Sequence, residues 1–272
     1  MRSPLFFLTA VGLFISISGW AESATVSPFR FPNETLEESA RRSGLTYSPS
    51  LSSDKQEPVL DVAEEYWSFD PTDVPLWSNG SQANLAELTL SFLEIRDQRI
   101  YQDTERPGWP RRMAFLFPDD GCHVRAALFN QELEKRGLSR GHKIFAFGSI
   151  RIPSSHHPDG EVLWWFHVAP IFKLPEGLYV ADPALFPSAP IRLKDWLKFL
   201  APDRDLTQLR MVTCDAFAHN PASRCMGGST GMDKGAIKQH NDELLHYEWV
   251  RQERLGRDPV RILGDFPPWR EN

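Results

Sequence analysis

Pro118-Asp119-Asp120-Gly121-Cys122-His123-Val124-Arg125-Ala126 is the stretch on which the fold turns. Asp, Asp and Gly after Pro are turn residues, and Val124, Ala127, Leu128 and Leu133 then recur at helical spacing until Gly137. A turn therefore runs straight into a helix, with Cys122 at its start. A helix N-terminus favours negative charge and so activates a thiol placed there. The backbone N–H groups at that start, that of Cys122 included, are placed to hold an oxyanion. Gly121 gives the backbone freedom and leaves room for a substrate to approach it.

The cysteine count sharpens the point. The chain of 272 residues has three cysteines: Cys122, Cys214 and Cys225. Residues 1–21 read as a secretory signal peptide, with Arg2 as the positive n-region, an apolar run from Leu5 to Ile17, and small residues Gly19 and Ala21 at the cleavage end. The run is short for a bilayer span of about 20 residues, and nothing later is apolar enough to cross. The protein is thus expected to be exported, secreted or periplasmic, with no membrane contact after signal removal. In an oxidising compartment Cys214 and Cys225, which enclose a short loop containing Asn220-Pro221, are expected to pair. Cys122 is then the leftover thiol. The formal charge of −6 argues against nucleic acid as a partner.

With 41% hydrophobic residues and nine tryptophans the chain can bury a sizeable core, while 22 prolines and a mean hydropathy of −0.38 make it loop-rich. Residues 22–80 have little periodicity and scattered aromatics, and read as an irregular pro-region or arm, with a short helix from Asn33 to Ser43. Residues 81–227 read as the main domain. It opens with a helix over 81–97 capped by Ser81, followed by a strand or buried extended segment over 112–117. Lys143 to Ile152, Val162 to Phe172 and Leu178 to Val180 read as strands, with a turn at His156-His157-Pro158-Asp159-Gly160 and a short helix from Asp195 to Leu200. Residues 228–272 are a C-terminal helical extension, with a long polar helix over 233–255.

A thiol nucleophile needs an imidazole. Of eight histidines, His123 points away from Cys122 on the helix, and His156 and His157 fall in a solvated turn. His167 stands alone in an apolar strand, between Trp164-Trp165-Phe166 and Val168-Ala169-Pro170, where a polar ring must have a partner or a task. Asp182 ends the next strand. A hairpin of the two strands brings its carboxylate near His167, where it can orient the ring. Trp164 and Trp165 are candidates for lining a slot beside the site. Among upstream amides, Asn84 and Gln98 have no assigned role. The histidines offer no metal-ligand spacing, and no cofactor is called for.

The chain order Cys, His, Asp, with Cys on a helix start and the partners on strands, is similar to the papain and transglutaminase arrangement. The fold class is accordingly α+β, with the nucleophile-bearing helix N-terminus packed against an antiparallel sheet that carries His and Asp. Phe117-Pro118-Asp119-Asp120-Gly121-Cys122 with Arg125-Ala126, then Phe166-His167-Val168-Ala169, then Asp182-Pro183-Ala184-Leu185-Phe186 and Ser188-Ala189-Pro190 closely resemble the protein-glutaminase family. The resemblance covers about residues 112–227 and includes Trp196. It implies a deamidase that converts protein-bound glutamine to glutamate, with a pro-region over the site. By the same resemblance Cys122 is the nucleophile, His167 the general base and acid, and Asp182 the orienting acid. The partner is a protein or peptide with an accessible glutamine, and the enzyme is a monomer. His123 departs from the family, which tends to have an aromatic there; the family also has more cysteines, and the C-terminal helix has no identified counterpart. The alternatives are a cysteine peptidase or transglutaminase on the same fold, and a secreted binding domain whose Cys122 thiol is structural.

Overall fold

Gly121 is in the left-handed region, with φ at 84°, in a computed structural model that describes residues 84–201, 209–218 and 234–270 together with Glu38, Trp67–Ser68 and Leu206. That conformation ends the Pro118–Gly121 turn and starts helix α2 (Cys122–Lys135); the first helix, α1, is Leu85–Asp97. Three strands of the central sheet are β2 (His142–Pro153), β3 (Glu161–Leu174) and β4 (Gly177–Val180). The short β1 (Trp67–Ser68), β5 (Ile191–Arg192) and β6 (Arg210–Cys214) complete six antiparallel strands in the order β1-β6-β2-β3-β4-β5. Helix α3 (Leu193–Leu200) follows β5, and α4 (Lys234–Arg254), α5 (Pro259–Leu263) and a 3-10 turn (Pro268–Arg270) close the described chain. The architecture is mixed α and β around one antiparallel sheet.

The strands β2 and β3 are apolar on both faces because both are covered. Phe145, Phe147, Val168, Val212 and Cys214 pack with Cys122 and Ala218 on one side. Ile144, Ala146, Ala169 and Ile171 pack with Leu193, Trp196, Leu197 and Leu200 of α3 on the other. A third cluster joins α1 and α2 to the C-terminal helix: Leu88, Phe92, Phe129 and Leu133 meet Ile237, Leu244 and Leu245 of α4. Residues 234–254 are thus built into the same core as the helix that carries Cys122.

Polar contacts tie α4 to the segment before Cys122. Residues 112–117 are buried without joining the sheet, so their backbone groups need other partners. Glu248 Oε1 accepts from the Leu116 N–H at 2.6 Å, and its other oxygen pairs with buried Arg111. Arg251 Nη1 donates to Asp119 Oδ2 at 2.5 Å, with both side chains buried. From α2 itself, Arg125 Nη1 reaches the carbonyls of Ala114 (3.1 Å), Phe117 (3.3 Å) and Asp120 (2.8 Å). The turn that presents Cys122 is held from both sides.

Some local expectations shift. Helix α1 starts at Leu85, capped by Asn84 in a reciprocal capping box with Glu87; Ser81, the expected cap, lies outside the described residues. His156 and His157 are half-buried rather than solvated. Arg257 Nη1 lies 2.9 Å from His156 Nδ1, and burial, with the charge of Arg257, holds that imidazole down at about 4. His157 Nε2 stands 3.4 Å from Asp119. The expected helix over 33–43 and the signal and arm segments lie outside the described residues, apart from helical Glu38 and Trp67–Ser68.

A side chain at position 121 meets two obstacles: the positive φ and the Leu244 side chain, whose Cδ1 would be 2.4 Å from an added Cβ. Gly121→Ala is expected to destabilise the protein by about 2 kcal/mol, and Leu244→Ala by about 3 kcal/mol through the cavity it leaves. Because the second change removes the clash created by the first, the double variant should be less destabilised than the sum. Urea unfolding measures all three, and strict additivity would contradict the contact.

Candidate active site

The β3–β4 hairpin sets the first half of the site. Ile171 faces Val180 and Leu174 faces Gly177, and the ladder continues with the Ala181 N–H donating to Pro170 O at 2.9 Å. Extending that register places Asp182 across from Ala169, one diagonal step from His167 on the same face. The carboxylate closes the distance: His167 Nε2 and Asp182 Oδ2 are 2.8 Å apart. The chain then leaves the sheet at Pro183, with Asp182 O accepting from the Leu185 (3.2 Å) and Phe186 (2.8 Å) N–H groups. A second donor fixes the same oxygen, since Trp196 Nε1–H of α3 reaches Asp182 Oδ2 at 2.9 Å.

Cys122 comes from the opposite layer, at the first position of α2. Its side chain is 8% exposed, and a cavity of about 10 Å3, the size of one water, is lined by Cys122, Arg125, His167 and Asp182. The other ring nitrogen of His167, Nδ1, is buried and has no hydrogen-bond partner among the described residues. The Cys122 thiol is near enough to act on the ring's proton affinity. Burial by itself would push the imidazole down; the Asp182 carboxylate and the Cys122 sulfur outweigh it and hold it at about 9. Burial likewise works against the charge on Asp182, but His167 and the Trp196 donor keep its carboxyl below the ordinary value. A charged imidazole bonded to a carboxylate on one nitrogen and turned toward a thiol with the other can pass a proton at the sulfur's side.

At the helix start no side chain caps α2, and the N–H of Cys122 has no acceptor among the described residues. Among the described residues that donor is left for an anionic oxygen. Gly121 is buried, and the space beside it is filled by Leu244. Trp164 lies on the His167 ring, stacked at 4.5 Å and 9°, and its Nε1–H donates to Pro118 O at 2.9 Å. A regular strand sends residues three apart to opposite faces. Here β2 slips register between Phe147 and Ile150, opposite this stretch, and a bulge supplies the extra twist. Trp165 packs instead on Phe147 and Phe166, in the cluster that contains Cys122.

The two upstream amides are engaged elsewhere: Asn84 caps α1, and Gln98 Oε1 accepts from Arg136 Nη2 at 2.7 Å. Cys122 is the free cysteine among the described residues; Cys214 is buried in β6, and Cys225 lies outside the described residues. Among the described residues no group of three or more His, Cys, Asp or Glu side chains is placed to hold a metal ion, and no helix is long and apolar enough to cross a membrane. Two neighbours of the site are not legible in the sequence. Trp196 sits among Leu193, Leu197 and Leu200 on an amphipathic helix, and a buried indole in such a place requires an acceptor. Lys143 is a charged residue opening an apolar strand.

Comparison with known proteins bears on the same region. Residues 88–200 match the family model described as Glutaminase. No curated protein is matched. The structure of protein-glutaminase from Chryseobacterium proteolyticum is 19% identical, with a TM-score of 0.41, over 70% of this chain and 94% of that one. A crystal structure of protein-glutaminase is 18% identical, with a TM-score of 0.40, over 70% and 93%. A pro-protein-glutaminase is 18% identical, with a TM-score of 0.42, over 75% and 66%. The segment that carries Cys122, His167 and Asp182, residues 88–200, is thus similar to the protein-glutaminase family.

Proposed function

We propose that the protein is a cysteine-dependent deamidase that converts protein-bound glutamine to glutamate and releases ammonia. The observation that carries this is the buried His167, bonded to Asp182 at 2.8 Å and turned toward the helix-start thiol of Cys122. The family match over residues 88–200 supports a glutamine carboxamide as the group attacked.

The Cys122 sulfur adds to the side-chain carbonyl carbon of glutamine. The oxyanion that forms rests on the N–H of Cys122. His167, held charged by Asp182, gives its proton to the departing nitrogen, and the C–N bond breaks to leave a thioester and ammonia. His167 then takes a proton from water, the water oxygen adds to the thioester carbon, and the C–S bond breaks to give glutamate and restore the sulfur. Trp164, covering the ring, keeps bulk water from it and offers a flat apolar wall for the glutamine stem. Export, a Cys214–Cys225 bridge, an N-terminal pro-region over residues 22–80, a papain-like layout and action as a monomer belong to the same proposal.

Cys122→Ala should abolish ammonia release from a glutamine-containing protein while leaving the circular dichroism spectrum unchanged; persisting release would remove Cys122 from the chemistry. Mass spectrometry of the product separates the outcomes, since deamidation adds about 1 Da per site, whereas crosslinking joins chains and proteolysis shortens them. Asp182→Asn should lower kcat by about three to four orders of magnitude, by analogy with triads whose acid is replaced; a wild-type rate would show that the carboxylate is not needed.

The raised imidazole also makes stability depend on pH. A histidine held at about 9 against an ordinary 6.5 contributes stability that is present in full below pH 6.5 and is lost as pH rises through about 9. Asp182, held below 3.8, contributes stability present above that value and lost as pH falls through its lowered one. Urea unfolding of wild type should therefore weaken between pH 6.5 and 9 more than that of His167→Ala. Parallel curves would show that the ring is not charged in the folded state.

A further inference from the structure

Lys143 lies on the central strand β2 with 0% exposure, between the buried His142 and Ile144. Its backbone is opposite Cys214 on one side and Pro170 on the other. Its ammonium donates to His123 O at 2.8 Å and to Ala218 O at 2.7 Å. His123 is the residue after Cys122 in the first turn of α2, and Ala218 packs in the same cluster as Cys122. An ammonium removed from water is costly unless hydrogen bonds and an anion replace its solvation. Two neutral carbonyls replace part of it. The acidic groups that act on the ammonium through space are Cys122 and Asp215. Asp215 is engaged elsewhere: its Oδ1 accepts from the Phe217 N–H at 3.0 Å, and its Oδ2 stands 3.7 Å from Arg140.

We propose that Lys143 is a positioning residue for the nucleophile, a buried counter-charge tied to the first turn of α2 that stabilises the Cys122 sulfur as an anion. The proposal rests on the assignment of Cys122 as nucleophile. The two carbonyl contacts fix where the charge sits and tie the helix start to residues 215–218 after β6. Burial draws Lys143 down to about 7, and Cys122 and Asp215 act to raise it. A charge this poorly solvated is retained more readily when the sulfur beside it is anionic. The other charged or titratable groups around the sulfur are His167 from β3, Asp182 after β4 and Arg125 on α2, and Asp120 lies two residues before Cys122 in the preceding turn. His240 of α4 packs on His123, ring to ring at 6.5 Å. Lys143 is the cation among them that enters from β2.

Alkylation of Cys122 by iodoacetamide, followed by mass spectrometry across pH, tests this in the full chain. Lys143→Met should slow alkylation at pH 6 about tenfold and move the rate profile up by about one pH unit, while Lys143→Arg should keep the wild-type profile. A wild-type profile in folded Lys143→Met overturns the proposal. A second measurement needs no Lys143 variant. Coupling between two titrating groups is reciprocal, so in protein with 13C-labelled lysine the resonance titrating far below the other lysines should move to lower pH in Cys122→Ala. An unmoved resonance overturns the proposal as well. Neither readout requires turnover. Both shifts without ammonia release would refute the deamidase reading and keep the role of Lys143, and ammonia release without either shift would do the reverse.

Discussion

The contact between His167 and Asp182 governs the arrangement around it. Both groups are buried, and neither could be charged there alone without a large desolvation cost. Together, with Trp196 donating to the shared carboxylate oxygen, they form a satisfied polar island in an apolar sheet. The island dictates its surroundings. The β3–β4 register must bring residue 182 back beside residue 167, α3 must pack so that Trp196 points inward, and the remaining ring nitrogen must face whatever uses the proton. A shift of one residue in that register would send Asp182 to the other face and strand the imidazole.

Cys122 is placed by a different set of forces. Cys122 sits where a left-handed glycine ends a turn, and that turn is held less by its own residues than by the C-terminal helix. Arg251 binds Asp119, Glu248 takes the Leu116 N–H and Arg111, and Leu244 fills the space beside Gly121. Helix α4 contributes no group to the three-residue site, yet its contacts fix the helix start from which Cys122 faces His167. The segment that looks like an appendage in the sequence is a clamp on the turn that presents Cys122.

Much of this is legible in the residues. The turn and helix around Cys122, the strands around His167 and the hairpin that returns Asp182 follow from turn chemistry and apolar periodicity, because each is a local pattern with few alternatives. What is not legible depends on distant partners. His156 looks solvated in a turn beside Pro158, and is half-buried because Arg257 and Gln252, about a hundred residues on, pack over it. Trp164 and His167, three apart on a strand, should face opposite ways; the bulge opposite them adds the twist that lets them stack. The contacts of Lys143 and Trp196 appear once the sheet is assembled, since each is made with atoms on another element.

The central claim is that Cys122 is a nucleophile matched to a glutamine side chain. It is tested most directly with a peptide whose glutamine carboxamide is replaced by a chloroketone, with the labelled residue located by mass spectrometry. The account predicts rapid labelling of Cys122 that a glutamine-containing protein slows by competition and that Asp182→Asn suppresses. Labelling elsewhere, or labelling of Cys122 that neither competitor nor Asp182→Asn affects, would contradict it.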